Sequence, residues 1–205
     1  MSHNTWIHRL VRVGVRPLVA TPVTPNHLTT LRLASGLAAA AAFAVGDETW
    51  RAWGAALFVV SVLLDRADGE LARLGGKTSP LGHKFDLVAD ALCNSLIFAG
   101  LGLGLRDGAF GLWAVAMGVT AGLAIAAVLS LVLRLEALEG ARAAELPSAA
   151  GFDADDAILA VPVLVWLGWA EGLLAAATVG APIFALALYA TFRRRLRHGG
   201  ARDAD

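Results

Sequence analysis

From residue 28 onward, apolar residues run in stretches close to the ~20 residues a helix needs to cross the hydrocarbon core of a bilayer, and short polar breaks separate them. The pattern predicts six such spans. The first runs from Leu28 to Gly46, entered through Thr24-Pro25-Asn26 and closed by Gly46-Asp47-Glu48. The second covers Trp50 to Leu74, although its apolar part stops at Leu64 where Asp65, Arg66 and Asp68 enter. The third opens after Gly75-Gly76-Lys77 and covers Ser79 to Leu105, again with carboxylates in its opening turns. Spans four, five and six fall at Phe110 to Leu135, Asp155 to Trp169 and Leu173 to Phe192, the fifth being short. Ahead of them, Trp6, Ile7, Leu10, Val11 and Val15 alternate with Arg9, Arg12 and Arg16 at helical spacing, the pattern of an amphipathic helix lying on an anionic membrane surface. Those arginines interrupt the apolar residues before the core of a cleavable signal can form, so the segment is expected to be retained.

Composition agrees with a membrane protein. Of 205 residues, 57% are hydrophobic, and the mean hydropathy of +0.64 is too high for an ordinary soluble domain. The expected architecture is an all-α bundle in one domain over 1–205: an interfacial segment at 1–22, six transmembrane helices over 23–195 and a polar tail at 196–205. Formal net charge is zero, so no global basic field points to nucleic acid. Charge matters by position instead. Arg9, Arg12 and Arg16 precede span one, Arg66, Arg73, Lys77 and Lys84 surround the second turn, Arg134 and Arg142 follow span four, and Arg193 to Arg197 follow span six. All fall on one side of the membrane, which the excess of cations marks as cytoplasmic, so both termini are expected to face the cytoplasm across the inner membrane. The single cysteine, Cys93, excludes an intrachain disulfide and any cysteine-based zinc site.

The segment that carries chemistry runs from Asp65 to Asp90. Asp65 and Asp68 lie three residues apart and Asp86 and Asp90 four apart, so each pair projects from one face of its helix. A short turn makes antiparallel neighbours of the two helices, and the four carboxylates can converge at the cytoplasmic end of the bundle. Four carboxylates cannot all stay ionised in a partly dry site, because desolvation and mutual repulsion oppose the charge. One resolution is that they cap helices and pair with Arg66, Arg73 and Lys84. The other is a bound cation. Oxygen-only ligands favour a hard ion, Mg2+ or Mn2+, with calcium as competitor, and two ions sharing a bridging carboxylate would balance four charges while leaving positions open to phosphate oxygens. Ionisable residues inside a membrane span are functional by default, because they are costly to keep there.

These residues resemble the signature of the CDP-alcohol phosphotransferase family, D-x2-D-G-x2-A-R-x8-G-x3-D-x3-D, with every fixed position filled between Asp65 and Asp90. The resemblance implies a homodimer with a cytoplasm-facing polar cavity and two metal ions per protomer. It implies that Asp65, Asp68 and Asp86 bind metal, and that Asp90 shares the second metal and acts as general base. Gly69, Arg73 and Ser79 would touch the CDP moiety, with Asn26 and Thr29 at the mouth of span one as further candidates for that pocket.

The expected reaction is transfer of a phosphatidyl group from CDP-diacylglycerol to the hydroxyl of a small polar alcohol, with release of CMP. The reverse arrangement, a soluble CDP-alcohol donating to a lipid or polyol hydroxyl, is the alternative within the family. For the acceptor, Arg134 and Arg142 could bind a phosphorylated alcohol, and Asp153, Asp155 and Asp156 at the start of span five could bind a polyol or an amine, or simply cap that helix. A rival class, a small metal-ion transporter, places acidic residues near the bilayer midplane, commonly in two repeated halves. Here they gather in one contiguous segment instead.

Overall fold

The computed structural model describes residues 6–139 and 158–199, with side chains described over 11–134 and 158–193. Every regular element among them is helical. Helix α1 (Trp6–Val15) runs into a 3-10 turn at Arg16–Ala20, and is followed by α2 (Pro25–Val45), α3 (Glu48–Leu74), α4 (Pro80–Gly104), α5 (Trp113–Glu139), α6 (Ala160–Trp166) and α7 (Ala170–Gly199).

Local chemistry sets where the helices near the carboxylates begin. Pro25 opens α2 with its preset φ and no N–H to orphan, and the N–H of the preceding Thr24 donates to His27 Nδ1 at 3.3 Å. Asp47 caps α3, its carboxylate accepting from the N–H groups of Thr49 (2.8 Å) and Trp50 (3.3 Å). Ser79 caps α4, accepting from the Gly82 N–H at 3.0 Å, with Pro80 in the first helical position. At the far end, α2 stops on Gly46, whose φ of 87° is left-handed.

Among the described residues, four helices are long and apolar enough to cross a membrane: Pro25–Val45, Pro80–Gly104, Trp113–Arg134 and Ala170–Arg193. Helix α3 is as long, at 27 residues, but its last turns carry Asp65, Arg66, Asp68, Glu70 and Arg73. The fifth expected span is a different case. Its described helix, α6, has only seven residues, far short of the ~20 that crossing requires, and the first residues of the expected span lie outside the described residues. Gly168, at φ 78°, then turns the chain into α7.

The packing order departs from the chain order. Helices α3 and α4 are joined by the turn 75–79, yet they do not lie along one another: α2 sits between them and packs on both. Helix α5 then packs on α4, α7 on α5, and α6 on α3. The antiparallel α3–α4 pair expected from the short turn is thus replaced by a three-helix arrangement with α2 as the wedge. Small residues let α2 come this close. A Cβ on Gly100 of α4 would run into the carbonyl oxygen of Ala40, and one on Gly36 of α2 would meet the Sγ of Cys93 and the Oγ of Ser61. Where lipid provides no hydrophobic drive between helices, such backbone proximity is what lets dispersion contacts hold them. The core proper is built from Phe43, Phe58, Ile97, Leu101 and Leu174, all at most 1% exposed. Val179, Ile183, Phe184 and Leu186 of α7 point outward, an apolar face suited to lipid.

Candidate active site

All four aspartates come to one end of the bundle, where α3 ends and where α2 and α4 begin. Asp65, Asp68 and Asp86 each offer a carboxylate oxygen, and these oxygens lie within 4.8 Å of one another. Asp68 is the deep member at 4% exposed, and it accepts a 2.7 Å hydrogen bond from the Thr29 hydroxyl of α2. Asp65, Asp86 and Asp90 keep about a third of their side-chain surface exposed (31%, 35% and 32%), so the cluster opens to solvent on one side.

At the centre is a residue that sequence reasoning missed. Arg32 of α2 is 3% exposed, and its guanidinium touches three of the four aspartates: Nη1 lies 2.7 Å from Asp65 Oδ1 and 2.6 Å from Asp86 Oδ1, and Nη2 lies 2.5 Å from Asp90 Oδ1. Its backbone is held as well, since the Arg32 carbonyl accepts from Ser61 Oγ at 3.0 Å and from Ser35 Oγ at 2.9 Å. A planar guanidinium holds carboxylates from two helices in a fixed fork of donors, where a lysine ammonium would offer only a compact point charge. The signal was present in the sequence: Arg32 is the one cation inside an otherwise apolar span, one helical turn beyond Thr29. Asp90 has a second fixed partner, because Asn94, one turn on, donates from Nδ2 to its Oδ1 at 2.7 Å. Asp90 therefore stands with Arg32 and Asn94, and the three-carboxylate group that could hold an ion is Asp65, Asp68 and Asp86.

One guanidinium among four carboxylates leaves the centre anionic if all are charged. Arg66, in the same segment, lies 3.7 Å from Asp65 Oδ2, whereas Arg73 turns to Glu70 and Lys84 is exposed. Simple neutralisation by the three cations nearest in sequence is therefore not the arrangement found. A group of hard oxygen donors within 4.8 Å, partly open to water, fits a divalent cation of the magnesium or manganese type.

The other expected site residues divide into three sets. Asn26 and Ser79 are brought together across the α2–α4 mouth: a Cβ on Gly82 would lie 2.9 Å from Ser79 Oγ and 3.1 Å from Asn26 Oδ1. Gly69 and Arg73 also meet, the guanidinium of Arg73 lying 3.7 Å from where a Gly69 Cβ would be. Thr29 is committed to Asp68. Of the acceptor candidates, Arg134 is exposed near the end of α5, the helix that packs on α4, and Arg142, Asp153, Asp155 and Asp156 lie outside the described residues. A cavity of about 810 Å³ lies at the opposite end of the bundle, lined by Glu48, Arg51, Asp107 and Glu171 among others, and contains none of the aspartates of the site.

The sequence profile of the CDP-alcohol phosphatidyltransferase family matches residues 22–181. The chain belongs to this family. With four apolar helices of spanning length, it is a multi-pass membrane protein. Two relatives are similar over part of the chain. A bifunctional IPC transferase and DIPP synthase of Rubrobacter xylanophilus is 36% identical over 87 residues, 42% of this chain and 19% of that protein. An archaetidylinositol phosphate synthase of Pyrococcus horikoshii is 33% identical over 95 residues, 46% of this chain and 48% of that protein. The match thus spans less than half the length of either relative. The matched segment 22–181 contains every aspartate of the cluster, together with Arg32 and Asn94.

Proposed function

We propose that this chain is a phospholipid-synthesising transferase that moves a phosphatidyl group from CDP-diacylglycerol to the hydroxyl of a small polar alcohol and releases CMP. The observation that carries the reading is the convergence of Asp65, Asp68 and Asp86 on one point, with Asp90 held beside them by Arg32 and Asn94. A divalent cation bound there, or a pair of them with Asp90 sharing the second, would supply positive charge to diphosphate oxygens and to the leaving CMP.

The protein's own residues account for the remaining work. Arg73, at the end of α3, binds the diphosphate of the donor, and Gly69 leaves room beside it. Asn26 and Ser79 line the mouth where the cytidine enters. Asp90 accepts the proton of the acceptor hydroxyl, whose oxygen then forms a bond to the phosphorus that carries the diacylglycerol. The bond from that phosphorus to the oxygen bridging to the cytidylyl phosphate breaks, and CMP leaves with the electron pair. Arg32 and Asn94, both on one oxygen of Asp90, fix the plane of its carboxylate so that proton transfer needs no side-chain search.

In the membrane, we read the four long helices, α3 and the stretch containing α6 as the six crossings of each single-domain protomer of a homodimer. The site and both termini face the cytoplasm, where Arg12, Arg16, Arg73, Lys77 and Lys84 gather. The name of one relative, archaetidylinositol phosphate synthase, puts inositol phosphate on the panel of acceptors. The test is CMP release by the purified protein, with and without magnesium, from CDP-diacylglycerol offered with glycerol phosphate, inositol phosphate, inositol and serine. Metal-dependent CMP release with one acceptor is expected. Release only from a soluble CDP-alcohol in the presence of lipid would reverse the donor and acceptor, and no release from any cytidine donor would overturn the reading.

A further inference from the structure

Glu70 is 1% exposed, two residues beyond Asp68, yet it takes no part in the ion-holding group. Two arginines are among its partners. From its own helix, Arg73 donates through Nη2 at 2.9 Å. From α1, Arg12 donates through Nε at 3.1 Å and through Nη2 at 3.4 Å. Both guanidinium groups reach the edge of the protein, at 37% and 38% exposed, while the carboxylate between them is sealed. Apolar contacts hold Arg12 in place: Val15, Leu28 and Leu71 form a buried cluster, and Val11, Leu18 and Val19 pack against it, pinning α1 and the turn after it onto α2 and α3.

A buried carboxylate that loses a partner costs far more than the pair itself contributes. Arg73 is the residue assigned above to the donor's diphosphate, and it stands on Glu70. For Arg73 to turn to a diphosphate, something must stay on Glu70. We propose that Arg12 is a positioning residue for the nucleotide donor: it keeps the Glu70 charge satisfied when Arg73 leaves that carboxylate for the diphosphate. The membrane-surface helix α1 is thereby coupled to donor binding through one buried side chain, without touching the donor. The inference rests on the reading of Arg73 as a diphosphate ligand.

The coupling has a sign that a merely structural contact lacks. Without Arg12, Glu70 holds Arg73 more tightly, so nucleotide binding weakens. Without the Glu70 charge, nothing holds Arg73 back and Arg12 has no task. The experiment measures CDP affinity, by equilibrium binding with magnesium, for the full-length protein and for Arg12→Ala, Arg12→Lys, Glu70→Gln, Arg73→Ala and the Arg12→Ala/Glu70→Gln pair. It also measures KM and kcat for CDP-diacylglycerol. Arg12→Ala is expected to weaken CDP binding and raise donor KM about tenfold, with kcat near that of the parent, and Arg12→Lys falls between. Glu70→Gln is expected to bind CDP at least as well as the parent, and the double variant is expected to match Glu70→Gln. Losses that add in the double variant, or a loss confined to kcat, would overturn the inference. If Arg73→Ala weakens CDP binding but Arg12→Ala and Arg12→Lys do not, the inference fails alone; if Arg73→Ala leaves CDP binding unchanged, the diphosphate assignment fails and takes the inference with it. Should Arg12→Ala not fold, the Lys variant and the comparison of the double variant with Glu70→Gln carry the same signs.

Discussion

At the scale of single residues, the proposed chemistry depends on one base and one buried cation. Asp90→Asn keeps the shape of the side chain and its hydrogen bonds to Arg32 and Asn94 but cannot accept a proton at pH 7. It is expected to lower kcat by on the order of 10² to 10⁴ while leaving CDP binding and thermal stability near those of the parent, checked by CMP release beside equilibrium binding. Arg32→Met removes the guanidinium that touches three aspartates and leaves their charges opposed. In the absence of metal it is expected to destabilise the protein by about 3–5 kcal/mol, and added Mg2+ should raise its melting temperature more than it raises that of the parent, because binding to the folded state alone stabilises it. Equal shifts in the two proteins would show that the arginine and the ion do not share the carboxylates. The four aspartates were legible in the sequence because spacings of three and four put each pair on one helix face, and the signature fixed which carboxylates belonged together. Arg32 was not, because reading cations by the loop they flank passes over the one that flanks none. Glu70 and Arg12 were hidden for another reason: 58 residues separate them, and no local pattern relates an interfacial arginine to a carboxylate on another helix.

At the scale of elements, the central feature is α2 wedged between α3 and α4, where it brings Thr29 to Asp68 and Arg32 to the remaining carboxylates. That proximity requires glycine at the crossing. Gly100→Leu would force a side chain into the Ala40 backbone and is expected to lower stability by about 1–3 kcal/mol or more. By contrast, Gly172→Ala in α7, where nothing lies within 4 Å of the new Cβ, should leave stability unchanged or slightly raised. Melting temperatures of the two variants, side by side, check the contrast. The helices themselves could be read from apolar run length to within a few residues, as α2, α3 and α4 show, since caps such as Asp47 and Ser79 with Pro80 sit at the polar breaks. Their neighbours could not. Period and run length say which face of a helix is apolar, but the short turn 75–79 is equally compatible with a third helix entering between the two it connects. Of the fifth apolar run, the described residues show the seven-residue helix α6, which Gly168 closes.

At the scale of the whole molecule, every contribution to the site comes from one end of the bundle, the end that carries most of the exposed cations. In the proposed reaction, this arrangement would let the polar cytidine diphosphate headgroup of the donor reach the site at the membrane surface while its acyl chains lie beside the apolar helices. In the proposed orientation, cationic side chains at that end would face the anionic headgroups of the cytoplasmic leaflet. On a Cys93→Ser background, single cysteines introduced at Lys77 and Asp107 are expected to label from opposite sides in sealed membrane vesicles. Labelling of both from one side would break the topology on which the cytoplasmic placement rests. In the proposed mechanism, carboxylates of α3 and α4, kept in register by α2, hold a divalent cation that the reaction needs. Titration of the purified protein with Mn2+, followed by electron paramagnetic resonance, tests that most directly. Saturable binding is expected, competed by Mg2+ and lost or greatly weakened in Asp68→Asn and Asp86→Asn; absence of saturable binding, or binding that survives both substitutions unchanged, would contradict it.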